Sequence, residues 1–267
     1  MSDKRFLVYT SAGDKSSLRL WLEGRRNFDL WVTAYGNDLN RYKNYADYFE
    51  VRKGGKFQNL RKDWLSNREV FAHYDSVLVL DDDIIIDADG ISRLFEVLEE
   101  YDLTILQPAF LPFGKVSHPV TRQVFGKKLR FVDFIEVTCP LFRRDSLEHF
   151  LNEYDGELLG WGIDYWFLDI LRKEPEFLAA IIDSIPCVNP VDSVKGGQRE
   201  ISLLQPDSRR RNDWLDYKLR LDLEEADSKN YTSSINDSIL SSFINFFWVS
   251  LHRRLLQKRY KSDLICY

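Results

Sequence analysis

Apolar residues along the chain alternate between two spacings. Short continuous runs, rich in β-branched residues, alternate with longer stretches in which apolar positions recur every three or four residues. The first kind reads as strands buried on both faces and the second as helices covering them, which is the pattern of an α/β domain. Arg5 to Thr10 is a strand ended by the small polar run Ser11-Ala12-Gly13-Asp14, with Ser16 and Ser17 placed to cap a helix carrying Leu18, Leu20, Trp21 and Leu22. Phe28 to Tyr35 and Tyr48 to Val51 are further strands, and Phe57, Leu60, Trp64, Leu65 and Val70 show helical spacing. Val77 to Leu80 is a buried strand, followed by a helix from Ile91 to Tyr101 that Asp89 can cap, and by a strand at Leu103 to Leu106. Residues 110–128 form a long loop of the kind that is usually functional. Leu129 to Leu141 alternates as one strand containing Glu136. A helix from Asp145 or Ser146 to Tyr154, a turn at Gly160-Trp161-Gly162, a helix from Tyr165 to Arg172 and a strand at Ala179 to Asp183 complete the pattern.

After Gln205-Pro206 the character changes. Asp207 to Asn230 is dense in both charges with helical potential, and Lys229 to Asn236 reads as a polar linker. Ile239 to Tyr260 is an aromatic-rich helix whose C-terminal half is basic, which suits either a membrane surface or packing on the domain or a second copy.

Three stretches carry candidate chemistry. The strand Val77 to Leu80 runs into Asp81-Asp82-Asp83, at the strand end where open α/β sheets bind ligands. Adjacent carboxylates repel, so the triplet reads either as a hard-cation site or as a solvated acidic turn. Arg52-Lys53-Gly54-Gly55-Lys56 lets a backbone approach a ligand between cations, or is an ordinary exposed turn. Asp164 follows the Gly-Trp-Gly turn and has the simple alternative role of helix N-cap. Glu136 lies inside an apolar strand, where an acid requires a partner or a cleft. His118 is a substrate-contact candidate or a plain surface histidine.

Composition narrows the classes. With 267 residues, 44% hydrophobic and 30% charged, the chain is that of a folded protein with room for one large domain plus an appendage. A net charge of −5 argues against a general nucleic-acid binder. Cys139, Cys187 and Cys266 form no zinc spacing and no disulfide framework, so buried thiols in a reducing, cytoplasmic setting are expected. No signal-peptide core or membrane-spanning apolar run is present in the sequence.

Taken in order, the basic Gly-Gly loop, the acidic triplet and the Gly-Trp-Gly-x-Asp turn resemble a GT-A-type, metal-dependent, nucleotide-sugar glycosyltransferase. The region from about Tyr74 to Asn189 resembles more narrowly a domain family of unknown function. The residues carrying this likeness are the acidic strand end, Gln107-Pro108-Ala109, the segment Glu136 to Phe142, and Trp161 to Asp164. The resemblance implies a GT-A-like (Rossmann-like) α/β fold with a mixed, mostly parallel sheet flanked by helices. A catalytic domain at 1–206 would carry a helical C-terminal extension at 207–267. It implies Mn²⁺ or Mg²⁺ on Asp81 and Asp83, and Asn189 stands where the related family has a histidine ligand. Thr10, Ser11, Lys53, Lys56 and Asp82 would contact the donor, a UDP-sugar being the expected one. Trp161, Gly162 and Glu136 would line the acceptor site. Asp164 would be the general base of an inverting reaction, with retention left open.

The expected acceptor is a glycan or lipid-linked glycan, reached at the inner face of a membrane through residues 239–261, with homo-oligomer contact as the other use of that helix. Two competing classes stand beside this expectation. One is a metal-dependent phosphohydrolase or nucleotidyltransferase, which leaves the Gly-Trp-Gly turn without a role. The other is a non-catalytic sugar- or partner-binding module on a degenerate transferase fold, motivated by Asn189.

Overall fold

The continuous apolar runs become the centre of the sheet because residues with no polar face must be covered on both sides. The computed structural model describes residues 5–191, 200–224 and 228–238. In chain order, β1 (Phe6–Ala12), α1 (Leu18–Trp21), β2 (Phe28–Ala34) and β3 (Tyr48–Val51) come first. They are followed by α2 (Lys56–Ser66), α3 (Arg68–Phe71), β4 (Ser76–Val79), α4 (Ala88–Glu100) and β5 (Ile105–Phe110). Next come β6 (Lys127–Phe131), β7 (Leu141–Arg143), α5 (Arg144–Glu153), α6 (Ile163–Leu171) and β8 (Ala179–Cys187). Then come α7 (Glu200–Leu204), α8 (Asp207–Leu221) and β9 (Ser233–Asn236).

These strands form one nine-stranded mixed sheet in the order β3-β2-β1-β4-β7-β5-β8-β6-β9. Strands β3, β2, β1 and β4 are mutually parallel. β7 is wedged antiparallel between β4 and β5, β8 is parallel to β5, and β6 and β9 run antiparallel beyond it. Successive residues of β1 point to opposite faces, as strand geometry requires. Leu7 and Tyr9 join a core with Phe57, Trp64, Phe150 and Phe167, while Phe6 and Val8 join one with Trp21, Leu94 and Phe95. From β1 the chain steps to β2 and β3 on one side and then crosses to β4 on the other. The crevice beyond the ends of β1 and β4 is therefore the topological switch point, where such sheets bind ligands.

Four expectations from the sequence are revised. The segment expected as one strand from Leu129 to Leu141 is two, because β6 pairs with β8 and β9 whereas β7 pairs with β4 and β5. Residues 132–140 between them cross to the end of β4, where Thr138 and Pro140 accept the backbone N–H groups of Asp81 and Val79. The cap of α4 is Asp87, whose carboxylate accepts Gly90 N–H at 2.7 Å; Asp89 instead accepts Arg25 N–H at 3.0 Å. The N-cap of α6 is Gly162, so Asp164 lies within the first turn. The polar linker at 229–236 contains β9, which its polar side chains suit as an edge strand.

The long loop after β5 is fastened rather than loose. Buried Arg130 pairs with Asp183 at 2.7 Å and donates to the carbonyls of Val120 and Arg122. Asp183 also accepts Val124 N–H at 2.7 Å. Cys139 and Cys187 are buried free thiols, as expected. Among the described residues no helix is long and apolar enough to cross a membrane. The expected helix from Ile239 to Tyr260, and Cys266, lie outside the described residues.

Candidate functional site

The crossing segment Glu136-Val137-Thr138 ties together the stretches singled out in the sequence. Lys56, at the first position of α2, reaches into it: its Nζ donates to the carbonyls of Val79 (3.1 Å), Val137 (3.0 Å) and Thr138 (3.0 Å). The same ammonium lies 2.6 Å from Asp81 Oδ1. Asp81 N–H donates to Thr138 O, and the Val137 N–H supports the Asp164 carboxylate. The end of β4, the start of α2 and the start of α6 are thus laced to two consecutive residues, Val137 and Thr138.

Each acid of the triplet has its own environment. Asp81 is neutralised by Lys56. Asp82 turns toward the loop after β1, accepting Gly13 N–H at 2.8 Å and facing the Tyr35 hydroxyl at 3.5 Å. Its negative charge, more than burial, pushes the Tyr35 phenol well up. The backbone carbonyls of Asp82 and Asp83 are held by Ser17, through its N–H at 2.6 Å and its hydroxyl at 3.1 Å. Among the described residues no group of three His, Cys, Asp or Glu side chains converges to hold a metal ion.

The basic loop is also paired. Arg52 bonds Asp63 at 2.6 Å, within a buried network of Tyr9 and Thr33, and Lys53 lies 3.7 Å from Glu200. Thr10 is fully buried at the end of β1, and Ser11 Oγ accepts Asn59 Nδ2 at 3.1 Å. Asn189 is buried just past β8; its carbonyl accepts Lys115 N–H, and the neighbouring Val188 pairs with Ile85, close behind the triplet. His118 packs on Phe134, and burial lowers its pKa.

Across the crossing segment lie two buried acids. Burial pushes the Asp164 carboxyl up to about 6, against the N–H groups of Tyr165, Asp164, Val137 and Gly162, which favour its charged form. Burial pushes Glu136 up to about 7; the Thr138 hydroxyl pulls it down, while the charges of Asp164 and Asp81 raise it. Thr138 donates to Glu136 Oε1 at 2.7 Å, and Gln107 Oε1 accepts the Glu136 N–H at 2.5 Å. Glu136 Oε2 is buried with no hydrogen-bond partner.

The Gly-Trp-Gly turn is shaped by α8. Gly162 has φ 90°, and a Cβ there would overlap the Trp214 ring, which stacks on Tyr165 at 5.5 Å. Trp161 is 41% exposed, with the guanidinium carbons of Arg210 and Arg211 at 5.1 and 5.5 Å from its ring. Gln107, Thr138, Tyr35 and Trp214 shape the site without having been singled out individually. Gln107 had a signal, since it opens the Gln-Pro-Ala of the resemblance. The others are ordinary residues whose role is set by folding alone.

No protein-family model matches the chain, and no curated protein matches it. Among solved structures, S. aureus TarS 1–349 in complex with UDP-GlcNAc aligns over 97% of this chain and 79% of that one, at 14% identity and TM-score 0.52. TarS 1–349 in complex with UDP aligns over 81% and 72%, at 12% identity and TM-score 0.48. In a longer TarS structure this chain spans only 43% of the other, covering 80% of its own length at 11% identity and TM-score 0.49. The first of these shows the shared fold: a GT-A-like mixed α/β sheet flanked by helices.

Proposed function

We propose that the protein is a glycosyltransferase that moves a sugar from a nucleotide sugar, a UDP-sugar, to a hydroxyl of a glycan or lipid-linked glycan, with inversion. The observation that carries the reading is the crossing segment at 136–138. It brings the acidic end of β4 and the buried acids Glu136 and Asp164 to one place at the switch point of a GT-A-like sheet. The UDP-GlcNAc bound in the matched TarS structure supports a UDP-sugar as donor.

Glycosyl transfer needs a place for a diphosphate, an acceptor hydroxyl that can lose its proton, and exclusion of water. Thr10, Ser11 and Lys53 surround the ends of β1 and α2, where the nucleotide is proposed to lie. Trp161 offers an exposed ring for the acceptor's apolar sugar face. The buried pair Glu136 and Asp164 supplies the base. Each is held at a pKa close to neutral, where a proton acceptor is most effective.

We propose that a divalent cation at this site is shared with substrate and not held by protein alone. Lys56 already neutralises one oxygen of Asp81, and Asp82 is turned to Gly13. Carboxylate oxygens of Asp81 and Asp83, with the Asn189 amide, would form the oxygen set offered to Mn²⁺ or Mg²⁺ and completed by phosphates. When bound, the cation supplies charge neutralisation to the leaving diphosphate.

The test is calorimetric titration of the protein with UDP-GlcNAc and UDP, with and without Mn²⁺, beside an assay for UDP release. Binding that Mn²⁺ strengthens, together with UDP release, supports the reading; Asp83→Ala is expected to lose both while keeping its melting temperature. Release of inorganic phosphate instead of UDP would show a phosphohydrolase.

A further inference from the structure

Two carboxyls stand at the acceptor side, and they are not equivalent. Asp164 lies in the first turn of α6, and its oxygens face the N–H groups of Val137, Gly162, Tyr165 and its own backbone. Those donors occupy its lone pairs, an arrangement that fixes the carboxyl in place rather than offering it to a substrate. Glu136 is fixed at only one end. Its backbone N–H is locked by Gln107 and its Oε1 by Thr138, and Oε2, in a residue 6% exposed, has no partner. A buried carboxylate oxygen left open is costly unless something fills it when the site is occupied. Its surroundings are those of the reaction: Asp164, Asp81 and Lys115 are among the charges that act on it.

We infer that Glu136 is the catalytic base of this site, taking the acceptor's proton on its open Oε2, and that Asp164, anchored by backbone N–H groups on the far side of Val137, is a positioning residue. This rests on the glycosyl-transfer reading. In the step, the acceptor O–H bond breaks and its proton passes to Glu136 Oε2. The oxygen's electron pair forms the bond to the anomeric carbon. The bond from that carbon to the phosphate oxygen breaks, and its electron pair leaves with the nucleoside diphosphate. Val137 links the two acids directly: its sequence neighbour Glu136 carries the open oxygen, and its own N–H holds Asp164.

The experiment uses the full chain with UDP-GlcNAc and Mn²⁺, water serving as acceptor, with UDP release followed from pH 5 to 9. Wild-type release is expected to fall on the acid side through about 7, where Glu136 takes up its proton. Glu136→Gln is expected to lower release about 100-fold or more and to abolish that acid limb, with donor affinity unchanged by calorimetry. Asp164→Asn is expected to keep an acid limb moved to lower pH, because the charge that raises Glu136 is gone. The opposite pattern, with the limb lost in Asp164→Asn and kept in Glu136→Gln, overturns the assignment.

Infrared difference spectra provide a readout that does not need turnover. A protonated-carboxyl band that disappears as pH rises through about 7 and is missing in Glu136→Gln is expected; its absence from wild type, or its loss only in Asp164→Asn, overturns the inference. A wild-type chain that binds no UDP-GlcNAc overturns the glycosyl-transfer reading itself, whatever the variants do.

Discussion

Replacing Gly162 by alanine tests how the turn that carries Asp164 is built. Gly162 sits at φ 90° as the N-cap of α6, a conformation that costs an L-residue about 1–2 kcal/mol. The added methyl would also enter the Trp214 ring, which cannot retreat freely because it stacks on Tyr165 at 5.5 Å with the planes 19° apart. Forcing a methyl into packed surroundings costs about 1–3 kcal/mol. The sum, roughly 2–5 kcal/mol, corresponds in a chain of this size to a melting temperature lowered by about 4 °C at the least and up to about 20 °C. Differential scanning calorimetry of Gly162→Ala measures it. Trp214→Ala in the same background separates the parts: the double variant should recover the overlap cost but keep the backbone cost, so the two changes are non-additive. A Gly162→Ala protein that melts within a degree of wild type would refute the reasoning. So would additivity with Trp214→Ala, since it would mean that α8 does not press on the turn.

Other expectations follow from buried charge. Asp183→Ala leaves the Arg130 guanidinium buried and frees Val124 and the carbonyl-bound loop, at a cost of roughly 3–5 kcal/mol; urea unfolding should show it, limited proteolysis should open residues 111–126, and Arg130→Met with Asp183→Leu should cost less than either change alone. Glu136 and Asp164 have folded pKa values of about 7 and about 6, raised above 4.5 and 3.8, so the folded state holds their protons more tightly. Their contribution to stability is present in full below about pH 4 and lost as pH rises through about 7. Glu136→Gln should therefore match wild type near pH 4 and exceed it at pH 8 by up to roughly 3 kcal/mol in urea melts, and a variant less stable than wild type at pH 8 would sink the argument. Lys56→Met leaves Asp81 and three carbonyls without their cation, at a cost of about 2–4 kcal/mol. Mn²⁺ should raise the melting temperature of that variant more than that of wild type; equal shifts would refute the neutralising role of Lys56.

How much of this was legible in the sequence depends on whether a feature is local. The apolar runs that became β1, β2, β4 and β8 were readable because burial on both faces leaves a mark in every residue of the run. The acidic end of β4 was readable for a similar reason, since a strand that stops in three aspartates must open onto solvent or a ligand. The break of 129–141 into two strands was not readable. Both halves carry strand-forming residues, and only pairing partners distant in sequence separate them. The choice of Asp87 over Asp89 as cap was likewise made elsewhere, because Arg25 N–H claims Asp89. In the candidate site the residue types were visible, but their partners were not. Nothing local says that Lys56 will fold onto Asp81, or that the backbone of Val137 will reach Asp164.

The pairing of charges changes what the basic Gly-Gly loop can do for an anion. Arg52 is committed to Asp63, Lys53 lies against Glu200, and Lys56 is held by Asp81 and three carbonyls. A cation shared with an internal carboxylate attracts a diphosphate less than its formal charge suggests, because the neighbouring acid repels it at nearly the same range. The triplet is affected in the opposite sense: with Lys56 on Asp81 and Gly13 N–H on Asp82, its effective negative charge is below its formal three. The two stretches thus moderate each other. In such a site a divalent cation arriving with its phosphates restores positive charge where the protein has spent its own. At the crossing segment the charges of Asp164 and Asp81 raise Glu136 and that of Lys115 opposes them. The charges of Asp164 and Asp81 around Glu136 favour proton uptake there, which is the polarity that an acceptor hydroxyl attacking an anomeric carbon requires.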